Sequence, residues 1–168
     1  MPERCTRFLI DSNLFIAAVK SGWTKSSELL STLLDGSTEL VANKALLAEY
    51  EKYAQQLEAE YIFFYLKSRI ILIDVSEEKV QECRPFFPES QFSDAVHAAT
   101  CLQSGAVLIT NDKHFDNIKD VGLISVWTIS EAIKNLLKSL KGLISIPASL
   151  PYFATTSPIS SSVRPYSS

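Results

Sequence analysis

Two runs in this sequence, Arg7-Phe8-Leu9-Ile10 and Ala106-Val107-Leu108-Ile109-Thr110, are short, apolar and followed almost at once by an aspartate, Asp11 and Asp112. Runs this short, without polar alternation, have the character of strands buried on both faces, the signature of a parallel sheet covered by helices. Arg69-Ile70-Ile71-Leu72-Ile73-Asp74-Val75 is a third run of the buried type, Leu123-Ile124-Ser125-Val126 a fourth, and Leu40-Val41 a very short fifth. Helical patterns fill the intervals. An apolar stretch covers Leu14 to Val19. Thr24 or Ser26 caps a helix with Leu29, Leu30, Leu33 and Leu34 on one face, ended by Asp35-Gly36. Lys44 to Lys67 reads as a long helical region broken near Glu60. Ser76 opens a further helix, Pro85 and Pro88 interrupt the chain, and Ser93 caps a helix running to about Gln103, stopped by Gly105. Ser130-Glu131 opens a last amphipathic helix with Ile133, Leu136, Leu137 and Leu140 inward. Strands alternating with helices predict an α/β fold with a mostly parallel sheet and helices on both faces.

The length, 168 residues, suits one domain. The three cysteines, Cys5, Cys83 and Cys101, are odd in number and widely spaced, so they are expected to be reduced, small and buried, as in a cytoplasmic protein. The start of the chain leads into only a four-residue apolar run and predicts no secretory signal. Gly142 to Val163 lacks any charge and is long enough to span a bilayer. Pro147, Pro151 and Pro158 interrupt it, and Ser and Thr are frequent, so no membrane helix is expected there. Residues 142–168 read as a flexible Pro/Ser-rich tail, and residues 1–141 as the domain.

Ligands of an open parallel sheet bind beyond the carboxyl ends of its strands. Asp11 and Asp112 both lie at such ends. Asp94 falls in the first turn of its helix and Glu49 early in the long one, and helix starts face the same edge in a strand-helix unit. Four carboxylates in one crevice would raise each other's pKa unless a hard divalent cation neutralised them. Such a cation activates water for attack on a phosphoryl group and offsets the charge that develops on its oxygens. The net charge of −3, from 16 basic and 19 acidic residues, argues against a broad basic nucleic-acid surface. Without those four acids the remaining charges nearly balance. A phosphate backbone would then be drawn by a local basic rim, for which Lys44, Lys113 and Lys20 stand near the edge. Taken singly, Asp94 suits a helix-terminal acid better than a ligand, and Glu49 a solvated residue more strongly still. Spacing alone leaves both the metal reading and the structural one open.

The segments Phe8-Leu9-Ile10-Asp11-Ser12-Asn13, Leu46-Leu47-Ala48-Glu49-Tyr50-Glu51, Asp94-Ala95-Val96-His97-Ala98-Ala99 and Leu108-Ile109-Thr110-Asn111-Asp112-Lys113-His114-Phe115 together resemble the PIN-domain ribonucleases, a family that includes the VapC toxins of toxin–antitoxin pairs. Order and spacing agree from about Arg7 to Leu140. The resemblance implies a single PIN-like domain with a five-stranded parallel sheet. It implies that Asp11, Glu49, Asp94 and Asp112 form the catalytic, metal-binding set for Mg²⁺ or Mn²⁺, supported by Asn13 and Thr110. It further implies endonucleolytic cleavage of RNA, a homodimer and a possible antitoxin partner. Many relatives carry another acid where this chain has His114, with Asp116 the nearby substitute, though a turn or cap role suits Asp116 better. Glu51 lies about 200° around the helix from Glu49, so only one of them faces the site, and Glu49 is the choice. His97, three residues after Asp94, reads as a core residue.

Two other readings follow from the residues. Tyr61-Ile62-Phe63-Phe64-Tyr65 is either core helix or an apolar partner surface, and the latter suits a non-catalytic interaction module in an antitoxin or RNA-processing complex. A phosphatase of haloacid-dehalogenase type would want Asp-x-Asp after the first strand, where Asp11-Ser12-Asn13 lacks the second acid.

Overall fold

The sheet forms where the β-branched and leucine-rich runs predict it, and its order decides where a ligand can sit. The computed structural model describes residues 5–20 and 22–137. In chain order the elements are β1 (Arg7–Ile10), α1 (Ser12–Val19), α2 (Lys25–Asp35), β2 (Glu39–Ala42), α3 (Lys44–Gln56), α4 (Glu60–Arg69), β3 (Ile70–Leu72), α5 (Glu77–Cys83), α6 (Phe92–Ser104), β4 (Val107–Ile109), α7 (Asp116–Asp120), β5 (Val126–Trp127) and α8 (Ile129–Ala132). Short 3₁₀ turns cover Arg84–Phe86, Glu89–Gln91 and Lys113–Phe115, and a π turn covers Ile133–Leu137. All five strands pair in parallel in the order β3-β2-β1-β4-β5.

Phe8, Leu9 and Ile10, Leu40, Val41 and Ala42, and Leu108 and Ile109 are buried on the sheet. From α1 and α2, Leu14, Phe15, Leu29, Leu30, Leu33 and Leu34 pack into the same core, and α3, α4 and α6 add Leu46, Tyr50, Phe63, Leu66, Ala95 and Ala98. Local signals fix most helix ends. Thr24 caps α2 in a reciprocal box with Ser27, Asn43 caps α3, Ser76 caps α5, and Thr128 caps α8 in a box with Glu131. Gly105 ends α6 at φ 75°, a left-handed conformation in which a side chain would be strained.

Several expectations shift. The β3 run is an edge strand, with Ile71 39% and Leu72 47% exposed, because hydrophobic content does not distinguish an edge from a central strand. The last strand lies at Val126–Trp127, later than Leu123–Val126. Ser93 does not cap α6, which starts one residue earlier after Gln91. The last helix opens at Thr128 and widens into the π turn. The long helical region is broken at Leu57–Ala59, close to the expected point, where Glu58 adopts φ 54°. Within the aromatic segment, Ile62 and Phe63 turn inward while Tyr61, Phe64 and Tyr65 are exposed, so it is core on one face and open surface on the other. Cys83 and Cys101 are buried as expected, and Cys5 is exposed. Among the described residues no helix is long and apolar enough to cross a membrane. Leu140 and the 142–168 tail, including the uncharged stretch Gly142 to Val163, lie outside the described residues.

Candidate metal centre

The strand order reverses between β1 and β4, and the crevice at their carboxyl ends is where an open parallel sheet receives a ligand. Asp11 leaves β1 at that point, its N–H donating to the Ile109 carbonyl of β4 at 3.0 Å. Asp11 occupies the N-cap position of α1, yet its side chain makes no capping bond. Its carboxylate turns into the crevice and is only 8% exposed. Thr110 donates to Oδ2 at 2.7 Å, Asn13 Nδ2 donates to the same oxygen at 3.3 Å, and Ser12 Oγ lies 3.5 Å from Oδ1. The Thr110 hydroxyl also accepts the Asp112 N–H at 3.0 Å. One buried hydroxyl thus ties the acid after β1 to the backbone of the acid after β4.

Glu49 reaches the same edge from the second turn of α3. The buried Tyr50 hydroxyl donates to the Ile10 carbonyl, pinning that helix to the end of β1. Beneath Glu49, His97 Nε2 stands 3.5 Å from Oε1. The tautomer of His97 follows from its other neighbours. Asn43 Oδ1 accepts the Leu46 N–H at 2.9 Å, so its Nδ2 faces His97 Nδ1 at 3.0 Å and Thr100 Oγ1 at 2.9 Å. Nδ1 must then accept, and the ring proton sits on Nε2 toward Glu49. His97 is buried as expected, but it also supports an acid of the site. Glu51 is exposed on another face of α3.

Asp94, the third residue of α6, accepts at Oδ2 from His114 Nδ1 at 3.1 Å rather than capping backbone. Asp112 caps the 3₁₀ turn after β4, accepting the His114 N–H at 3.0 Å, and its Oδ1 stands 3.2 Å from His114 Nδ1. His114 Nε2 meets Gln91 Nε2 at 2.9 Å. One donor atom each from Asp94, Asp112 and His114 lies within 4.8 Å of the others. Asp116 is exposed in the first turn of α7, and among the described residues no hydrogen bond or ion pair ties it to these acids.

The electrostatics follow from burial first and neighbours second. Burial pushes the Asp11 carboxyl up against the opposing Thr110 hydrogen bond, and the Asp112 charge adds a smaller push. Burial likewise raises Asp94, with His114 opposing. Glu49 is held below the usual carboxylate range, chiefly by His97. The crevice therefore gathers acids whose ionised forms the protein only partly compensates, which is the donor chemistry a hard divalent cation satisfies. Donor atoms of Asp94, Asp112 and His114 are close enough to share such an ion, while Asp11, tied to the Asp112 backbone through Thr110, lies at the inner side of the same crevice. Exposed Lys44 and Lys113 follow β2 and β4 at this edge, whereas Lys20 stands at the far end of α1.

The family model of the PIN domain matches residues 8–121. This chain belongs to the PIN-domain family. The PIN fold is equally evident in a solved structure. A chain in the crystal structure of VapBC2 from Rickettsia felis, bound to a DNA fragment from their promoter, superposes with a TM-score of 0.53 at 18% identity. The alignment covers 73% of this PIN chain and 98% of the other. No curated protein matches this sequence. Of the residues singled out from the sequence, the structure gathers Asp11, Glu49, Asp94, Asp112, Asn13 and Thr110 around the β1–β4 crevice and leaves Asp116 aside. Sequence reasoning missed the support given by Asn43, the reach of His97 to Glu49, and the place of Gln91 and His114. The only sequence signal for His97 was its i+3 spacing from Asp94.

Proposed function

We propose that this PIN domain is a divalent-cation-dependent endoribonuclease in which Asp11, Glu49, Asp94 and Asp112 are the catalytic, metal-binding acids. The observation that carries this reading is the convergence of Asp11, Asp94 and Asp112 at the strand-order switch, with Thr110 bridging the first and last. PIN domains are generally nucleases, which agrees. Bound there, Mg²⁺ or Mn²⁺ would supply Lewis-acid activation of water and of the scissile phosphate. The chain's own groups do the rest. Thr110, Asn13 and Ser12 hold the Asp11 carboxylate in place, His97 orients Glu49, and the closely packed Asp11 keeps bulk water from its inner face. Lys44 and Lys113 offer charge to a phosphate backbone on the rim, in a protein whose overall charge would not attract it.

Incubating the full chain with a mixed single-stranded RNA pool tests the reading. Cleavage is expected with Mn²⁺ or Mg²⁺, stops with EDTA, and falls by about 100-fold or more in Asp94→Asn, as when one electrostatic element of a site is removed. Cleavage untouched by EDTA, or equal in the variant, would exclude it.

A second reading is favoured by the outward face of α4. Tyr61 is 71% and Phe64 64% exposed. An apolar surface of this kind suits self-association or an antitoxin, and the similar fold in the VapBC2 assembly is consistent with such a partner. In this reading the domain is a toxin of a pair or, without catalysis, an interaction module of an antitoxin or RNA-processing complex.

A further inference from the structure

The crevice contains one donor that is not a carboxylate. His114 Nδ1 lies 3.1 Å from Asp94 Oδ2 and 3.2 Å from Asp112 Oδ1. In an octahedral site with bonds of about 2.1 Å, adjacent ligand atoms stand about 3.0 Å apart. His114 Nδ1 therefore stands at adjacent-ligand spacing from an oxygen of each acid, with donor atoms of all three residues within 4.8 Å of one another, and its N–H hydrogen bond goes to Asp94.

We propose that His114, through Nδ1, is a ligand beside Asp94 and Asp112 in this centre, and that its nitrogen makes the site favour Mn²⁺ over Mg²⁺. The proposal rests on the cation-dependent reading above and specifies its ligand set. A ligating Nδ1 must carry no proton, so the ring proton moves to Nε2 and needs an acceptor there. Gln91 is already 2.9 Å from Nε2, and turning its terminal amide brings Oε1 to that position. Ligating imidazoles are oriented by such a partner on the other nitrogen. The backbone assists as well, because the His114 N–H is held by Asp112 Oδ1 at 3.0 Å and keeps ring and carboxylate on one side of the turn. Mg²⁺ demands oxygen donors and sheds water reluctantly, whereas first-row transition ions accept imidazole more readily. A mixed carboxylate and imidazole set therefore discriminates between the two.

The sequence contains two histidines, which makes the test decisive. Mn²⁺ and Mg²⁺ are titrated calorimetrically into the full chain, and pulsed electron paramagnetic resonance of the Mn²⁺ form reads nitrogen bound directly to the ion. The expected result is Mn²⁺ affinity about ten-fold or more above that for Mg²⁺, with a directly bound nitrogen present in the wild type and in His97→Asn but absent in His114→Asn. Mn²⁺ binding should weaken by about ten-fold or more in His114→Asn, while Mg²⁺ binding changes little. The His114 side chain is about half exposed, so circular dichroism should show that variant folded. Tight Mn²⁺ binding with no nitrogen signal, or a signal that survives in His114→Asn, overturns the assignment and leaves the nuclease reading standing. No Mn²⁺ binding together with EDTA-resistant cleavage overturns both.

Discussion

At the scale of single residues, Thr110 carries more of the site than its size suggests. Its buried hydroxyl donates to Asp11 and accepts from the Asp112 backbone, so Thr110→Val removes both bonds and leaves a buried carboxylate oxygen and an N–H without that partner. Losing such bonds costs about 1–3 kcal/mol. Urea unfolding should show a loss of that order, and Mn²⁺ affinity should fall by about 10–100-fold, the usual effect of removing a group that orients a ligand. The carboxylates also set a pH dependence. Asp11 and Asp94 are held above their ordinary value of 3.8, so the fold disfavours their ionised forms. The cation-free protein loses their contribution as pH rises from the unfolded value through the folded one, and the deficit is complete above the latter. Glu49 runs the other way, adding stability above its ordinary value of 4.5 that disappears as pH falls through its lowered folded value. A cation needs all of them ionised, so the melting-temperature rise caused by Mn²⁺ should shrink as pH is lowered from neutrality into the carboxylate range; a rise that does not shrink there would contradict a carboxylate site. The placement of these acids at one edge was legible in the sequence because Asp11 and Asp112 follow strands, Asp94 lies in the first turn of α6 and Glu49 in the second turn of α3. His97 and His114 were not. The role of His97 depends on Asn43, 54 positions earlier, and that of His114 on Asp94, 20 positions earlier. No local pattern announces such pairings.

At the scale of elements, Asn43 links a helix start to the site. It caps α3 and holds the His97 ring, so Asn43→Ala removes a cap worth about 0.5–2 kcal/mol and strands a buried ring nitrogen. A loss of about 2–3 kcal/mol in urea unfolding is expected, above what Thr24→Ala at the capping box of α2 should cost, about 1 kcal/mol. Equal losses would mean that the His97 contact contributes nothing. Capping residues and the Gly105 stop were readable because they act within a few positions. The edge placement of β3 was not, since Ile70-Ile71-Leu72 has the composition of a central strand and only the strand order leaves it outermost. The start of α6 was misplaced for a related reason: Ser93 has the chemistry of a cap, but the preceding 3₁₀ turn over Glu89–Gln91 has already set the helix direction.

At the scale of the whole molecule, one edge of the sheet holds the acids while the outer face of α4 presents the apolar side chains of Tyr61 and Phe64. If that face mediates self-association, Phe64→Ser should shift sedimentation toward the monomer without altering RNA cleavage per chain at saturating cation. An unchanged sedimentation profile would remove α4 from the interface. On the function proposed above, Asp11, at the point where strand order reverses, helps hold the cation used in RNA cleavage. The most direct test compares wild type with Asp11→Asn for Mn²⁺ binding and RNA cleavage in the same preparations, with thermal unfolding measured in EDTA. The expected variant is folded, no less stable than wild type in EDTA because its buried charge is gone, and deficient in both binding and cleavage. A folded Asp11→Asn protein that binds Mn²⁺ and cuts RNA like the wild type would remove Asp11 from the metal site.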